Sequence, residues 1–212
     1  MGIRITDKRK FVFSIKMKLI LFYLVINNFL FVVIHKNDNK KNIKVALCTM
    51  GKRENLYVKE FIEYYMKLGI EHIFIYDDND PGEEKIIEAI EEKYLNNVTI
   101  YEAQKLFIRN QSMAFSECYN NNLNNYDWFL MVDMDEFLFI VGDTLTGYLK
   151  NTIFNKCDFI NFHWVIPTDK DLIYYDSRPL LMRFGPPYLK SKYVKTIIRG
   201  RIPNLKYSIH SP

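Results

Sequence analysis

With 212 residues and 49% apolar side chains, the chain is long and apolar enough for one packed core, and this excludes a disordered segment. Its 29 Lys and Arg against 25 Asp and Glu leave a net charge of only +4 with no concentrated basic face, which argues against nucleic acid as a partner. Its three cysteines, Cys48, Cys118 and Cys157, are odd in number, far apart and without a C-x-x-C pair, so their spacing implies neither a disulfide framework nor a zinc site.

Residues 1–41 read as a basic and hydrophobic leader followed by a linker. Leu19 to Ile34 is apolar except for Asn27 and Asn28. At about sixteen residues this run is short of the roughly twenty that cross a bilayer, and starting it at Phe11 requires Lys16 and Lys18 to snorkel. A basic flank, an apolar run and no small-residue cleavage site predict a single-pass N-terminal membrane anchor through residues 11–34. The chain would be cytoplasmic if the leader does not insert. Residues 35–41 are polar and read as a linker.

From residue 42 the pattern alternates strand and helix. Ile43–Thr49 is predicted as a strand. Glu54–Leu68 is predicted as a helix with Tyr57, Phe61, Tyr65 and Leu68 on one face, stopped by Gly69. His72–Tyr76 is the next strand, closed by the turn residues DDNDPG. Glu83–Leu95 has helical periodicity with Ile86, Ile87, Ile90 and Tyr94 inward. Asn97–Tyr101 reads as a strand, Asn110–Asn121 as a helix, and Trp128–Val132 as a fully buried strand. This order predicts βαβ units in a mainly parallel, Rossmann-like α/β sheet flanked by helices over residues 42–212. After Asp143 the pattern changes to shorter strands in DFINFHWV, YVKTIIR and LKYSIH.

The densest chemical signal is Asp133-Met134-Asp135-Glu136-Phe137, directly after the apolar strand. Ligands of open parallel sheets bind beyond the carboxyl ends of the strands. Two acids there raise each other's pKa unless a cation relieves them, and an all-oxygen donor pair suits Mn²⁺ or Mg²⁺. The competing reading is an acidic surface turn. Asp77-Asp78-Asn79-Asp80 ends the strand HIFIY and faces the same crevice. There Asp77 is suited to accept hydrogen bonds from a nucleobase or ribose, while Asp78 and Asp80 fit an ordinary turn before Pro81-Gly82. A phosphohydrolase of the haloacid dehalogenase type also places D-x-D after a buried strand. It normally carries Thr or Val where Phe137 stands, and near the start of its domain.

These residues, in this order, resemble a known family. KVALCTMGKRENLYVKEFIEYYMKLGIEHIFIYDDND looks like the opening of the GT-A catalytic domains of glycosyltransferase family 92 and its bacterial family-2-like relatives. It carries the matching Arg53, Glu54, Leu68, Gly69, Tyr76 and Asp77. QSMAFSECYNNNLNNYDWFLMVDMDEFLFI is similar to the family's Gln, Cys, Trp and Asp-x-Asp-Glu-Phe run, and NFHWVIP, LLMRF, KTIIRG and IHSP follow in order. The resemblance implies a hexosyl-type glycosyltransferase that moves sugar from a UDP-sugar to a glycan, lipid-linked or protein-linked acceptor. It implies that Asp133, Asp135 and the late His210 hold Mn²⁺ or Mg²⁺, and that Thr49, Arg53, Glu54, Asp77 and Lys195 contact the nucleotide-sugar. Glu136 would orient the site. Asp169 or Asp171 would deprotonate the acceptor in an inverting reaction; inverting and retaining chemistry both remain open. The chain stops just after IHSP where relatives commonly continue, which implies a shortened acceptor end. A decayed, non-catalytic domain of this fold is the alternative.

Overall fold

In a computed structural model the described residues are 42–108, 110–168, 178–183 and 185–207, all within the compact unit Asn42–Pro212. The leader over residues 11–34, Asp169, Asp171 and His210 lie outside them. The strands are β1 (Val45–Gly51), β2 (His72–Asp77), β3 (Val98–Glu102), β4 (Trp128–Met131), β5 (Phe159–Thr168) and β6 (Gly185–Arg199). The α-helices are α1 (Asn55–Leu68), α2 (Gln111–Asn122), α3 (Leu145–Leu149) and α4 (Leu180–Arg183). Among the described residues no helix is long and apolar enough to cross a membrane.

The strands form one six-stranded sheet in the order β3-β2-β1-β4-β6-β5. β1 pairs in parallel with β2 and β4, and β2 with β3, while β6 runs antiparallel to β4 and β5. The expected α/β sheet with a parallel centre is therefore present. The late strands are longer than expected, and Leu205–Tyr207 of LKYSIH is not a strand.

Side-chain alternation splits the core in two. Val45 and Leu47 of β1 face one cluster, which takes in Val58, Phe61, Ile62 and Tyr65 of α1. Ala46 and Cys48 face the other, which takes in Ala114, Phe115, Cys118 and Tyr119 of α2. The two helices thus cover opposite faces of the sheet, as period-2 strands require. The buried face of α1 is centred on Val58, Phe61, Ile62 and Tyr65, one step round from the predicted stripe. Gly69 ends α1 at φ 97° with its N–H on the Met66 carbonyl, and a Cβ there would sit 2.9 Å from Thr146. Glycine meets both demands.

Two expectations are corrected. The segment Glu83–Leu95 is not an α-helix but two 3-10 pieces, Ile86–Ala89 and Glu92–Asn97, with extended backbone at Ile90 and Glu91 between them. Oδ2 of Asp77 accepts the Ile86 N–H, and Glu91 is held sideways by Lys59 and Lys93. Tertiary bonds replace the i→i+4 ladder in a segment too short to nucleate alone. The cysteines are not all free either: Cys48 on β1 and Cys118 on α2 form a disulfide, leaving Cys157 free. The packing of α2 on β1 brings together two buried residues separated by 70 positions, which spacing along the chain cannot show.

Candidate functional site

The chain leaves β1 toward β2 and β3 on one side, then returns through α2 to β4 on the other side of β1. The sheet order therefore reverses between β1 and β4. Crevices at such switch points, beyond the carboxyl ends of the strands, are where α/β sheets bind ligands. The β1–α1 loop and the acidic loop after β4 meet there. Gly51 makes the meeting close, because a Cβ at that position would lie 2.9 Å from Cε of Met134.

The acidic loop is a tight turn. The Glu136 N–H donates to the Asp133 carbonyl, and the Asp133 N–H donates to Oε2 of Glu136. Its far side is fastened to α1. The Tyr65 hydroxyl donates to the Glu136 carbonyl at 2.8 Å and accepts the Leu138 N–H at 3.0 Å, and the Tyr64 hydroxyl donates to the Leu138 carbonyl. Phe137 packs against Phe61, Tyr64 and Tyr65. The helix face predicted to be core thus also sets the height of the loop.

Both oxygens of the Asp133 carboxylate are occupied. Gln111, the first residue of α2, donates its side-chain amide to Oδ1, and the Lys195 ammonium on β6 lies 2.8 Å from Oδ2. Lys195 also lies 3.0 Å from Oε2 of Glu136, is 8% exposed, and sits over the Trp164 ring. Asp135 is exposed at the rim. Oε1 of Glu136 is buried with no hydrogen-bond partner.

The electrostatics follow from one lysine facing several acids. Burial, then the Asp133 charge, pushes Glu136 up to about 7 against the opposing pull of Lys195. Protein packed beneath Asp135 partly desolvates its carboxyl and raises it, and the Asp133 charge adds to the rise. Glu54 is raised by burial and by the charges of Asp135 and Asp133. Burial would lower Lys195, but the Asp133 and Glu136 carboxylates outweigh it and hold the ammonium above its usual 10.5. Glu54, Asp133, Asp135 and Glu136 therefore form an excess of negative charge at the crevice that Lys195 does not neutralise.

The other predicted site residues divide. Glu54 stands beside this cluster at the start of α1, where its carbonyl accepts the Tyr57 and Val58 N–H groups. Arg53 adopts φ 62°, donates its N–H to the Asn79 side chain, and pairs with Glu83 at 2.7 Å. Thr49 does not line a pocket: it is fully buried inside β1, and its Oγ1 has no hydrogen-bond partner. Asp77 is 2% exposed, and its two oxygens accept the N–H groups of Asn79 and Ile86. In this arrangement it builds the loop instead of projecting into the crevice, because two backbone donors satisfy it from within. A cleft of about 520 Å³ runs between the β1 and β2 loops, lined by Arg53, Asn55, Leu56, Asn79, Glu83 and Glu84. Neither acid of the D-x-D pair lines it.

Some contributors were not legible in advance. Asn79 reads as a turn residue, yet it is buried and bonds Arg53, Asn55 and the Glu84 carbonyl, joining the two loops. Gln111 reads as part of the family's motif, but its bond to Asp133 is not legible from that. Among the described residues, no three His, Cys, Asp or Glu side chains converge closely enough to hold a metal unaided. The Asp133–Asp135 pair still fits Mn²⁺ or Mg²⁺. Such ions are held by one or two carboxylates and complete their shell from diphosphate and water, and the uncompensated acids show which sign of charge the loop calls for.

The model of glycosyltransferase family 92 matches residues 41–166, more than half of the chain. A family 92 protein of Ricinus communis is 29% identical over 161 residues, covering 74% of this chain and 25% of its own length. Family 92 proteins of Oryza sativa subsp. japonica (29% over 119 residues) and Arabidopsis thaliana (31% over 108 residues) cover 55% and 50% of this chain, and 20% and 18% of their own lengths. The chain thus spans about a fifth to a quarter of these relatives. The matched stretch runs from the linker through the acidic loop into β5, and the chain belongs to glycosyltransferase family 92.

Proposed function

We propose that this chain is a GT-A-type catalytic domain that transfers a hexosyl group from a nucleoside-diphosphate sugar, UDP being the expected nucleotide, to a hydroxyl of a glycan or lipid-linked acceptor. The carrying observation is the D-x-D pair at the carboxyl end of β4, at the reversal of strand order, in an acidic field larger than Lys195 can offset. A divalent ion held there supplies charge stabilisation for the departing diphosphate. In this reading the exposed Asp135 ligates it, and Asp133 supports the same loop from beneath. Lys195 adds a fixed positive charge at the floor of the crevice, where it opposes the negative charge that develops on the leaving group. Glu54 and the β1–α1 loop form the opposite wall. Asp169 or Asp171, beyond the end of β5, is the proposed base toward the acceptor, and His210 a further metal ligand; both assignments fall outside the described residues.

The buried Cys48–Cys118 disulfide favours an oxidising compartment, since such bonds persist outside reducing cytosol. With residues 11–34 as an anchor, the domain would act on acceptors at the lumenal or outer face of a membrane.

Calorimetry of UDP binding with Mn²⁺ tests the reading. Affinity is expected to fall sharply in Asp135→Ala and on adding chelator to the unaltered protein. Unchanged affinity in both cases overturns it. A screen of UDP-sugars for Mn²⁺-dependent donor hydrolysis would then identify the sugar.

A further inference from the structure

Every polar group of Asp133 is engaged from within the protein. Its N–H and carbonyl close the turn with Glu136, Oδ2 meets the Lys195 ammonium, and Oδ1 meets the Gln111 amide. Asp135, two residues on, is the exposed member of the pair. The two acids therefore differ: Asp133 is held by the protein on every side, and Asp135 stands open.

Gln111 comes from a rigid source. It opens α2, whose cap is set by Oδ1 of Asn110 accepting the Met113 N–H. The helix is buried through Ala114, Phe115, Cys118 and Tyr119 and tied to β1 by the disulfide. It is fastened again where the Tyr119 hydroxyl donates to the Arg199 carbonyl and accepts the Ile202 N–H, and where Ser116 accepts the Tyr207 N–H. Gln111 thus delivers its side-chain amide to the Asp133 carboxylate from a helix held at several points. Lys195 approaches the other oxygen from β6, on a separate element.

We propose that Gln111 is a positioning residue: with Lys195 it forms a two-point clamp on the Asp133 carboxylate, and the clamp fixes the geometry in which Asp135 is offered to a divalent cation. This rests on the metal-binding reading of the acidic pair. Outer partners that orient a ligating carboxylate typically carry about 10- to 100-fold in metal affinity. Lys195 alone leaves one oxygen of Asp133, and so its rotation, without a fixed partner.

The test is Mn²⁺ calorimetry on the unaltered protein, Gln111→Met, Asp135→Asn and Gln104→Met, with thermal melts of all four in chelator. Gln104 is the control, since its amide bonds Asp80 at the surface. Gln111→Met is expected to weaken Mn²⁺ binding about tenfold or more with a melting midpoint in chelator like that of the unaltered protein, and Gln104→Met to change neither. Mn²⁺ affinity retained in Gln111→Met while Asp135→Asn has lost it overturns the clamp alone. A fall in the chelator midpoint that matches the fall in affinity assigns Gln111 a merely structural part and also overturns it. No Mn²⁺ binding by the unaltered protein above the Asp135→Asn level overturns the metal reading itself, and the clamp with it.

Discussion

The Lys195 ammonium, carried by the antiparallel strand β6, lies 2.8 Å from Oδ2 of Asp133 at the end of the parallel strand β4. A cation entering the acidic loop therefore shares Asp133 with a resident lysine. The same lysine spans to Glu136, so two partly buried carboxylates share one cationic partner.

Lys195→Met removes that partner and leaves both acids uncompensated. A loss of about 3 kcal/mol in urea unfolding is expected in chelator, and the proposed metal site predicts partial recovery on adding Mn²⁺. Equal stability of the two proteins in chelator contradicts the ion-pair account.

Tyr65→Phe keeps the ring stacked on Phe137 but deletes a hydroxyl that both donates to Glu136 and accepts from Leu138. The Leu138 N–H is buried and loses its acceptor. The expected cost is about 1–3 kcal/mol, read by denaturant titration, together with weaker Mn²⁺ binding because the loop keeps only the Tyr64 hydroxyl and the Phe137 packing as ties to α1. A variant as stable as the parent shows that water replaces the hydroxyl.

Cys118→Ser opens the bond between α2 and β1. The expected loss is about 2–4 kcal/mol. Alkylation of the oxidatively folded protein, unfolded without reductant, is expected to label Cys157 alone, and all three cysteines after reduction. Three reactive thiols before reduction disprove the pairing.

His72 opens β2 half-buried, with Nε2 2.8 Å from Oγ1 of Thr99 and its ring on Phe74. Burial holds it below its ordinary 6.5, against the Glu71 charge. The unfolded chain then takes up the proton first. This contribution to stability is complete above the unfolded value and is lost as pH falls through it toward the folded one. The stability difference between the parent and His72→Gln is expected to shrink as pH falls below the ordinary imidazole value of 6.5. A difference that does not change with pH refutes the assignment.

Much of this was legible in the chain itself because it depends on local order. Apolar runs ending in DDND and DMDE place acids at strand ends, and the spacing of Tyr57, Phe61, Tyr65 and Leu68 predicts the helix, although its buried face is centred on Val58, Phe61, Ile62 and Tyr65. Glu83–Leu95 shows where that reasoning stops. Its helical period is real, but Asp77 captures the Ile86 N–H from another element, and no local pattern carries that information.

The sequence by itself determined the alternation of strands and helices except over Glu83–Leu95, the edge of the sheet that carries the acids, and the family motifs in their order, because periodicity and strand direction act over a few residues. Only the tertiary structure decided that Cys48 meets Cys118, that Thr49 and Asp77 are turned inward, and that Asp133 is gripped by Gln111 and Lys195. Those pairs join residues 22 to 70 positions apart. Their proximity follows from which helix covers which face of the sheet, and that is fixed by how the apolar faces pack against one another across the whole domain.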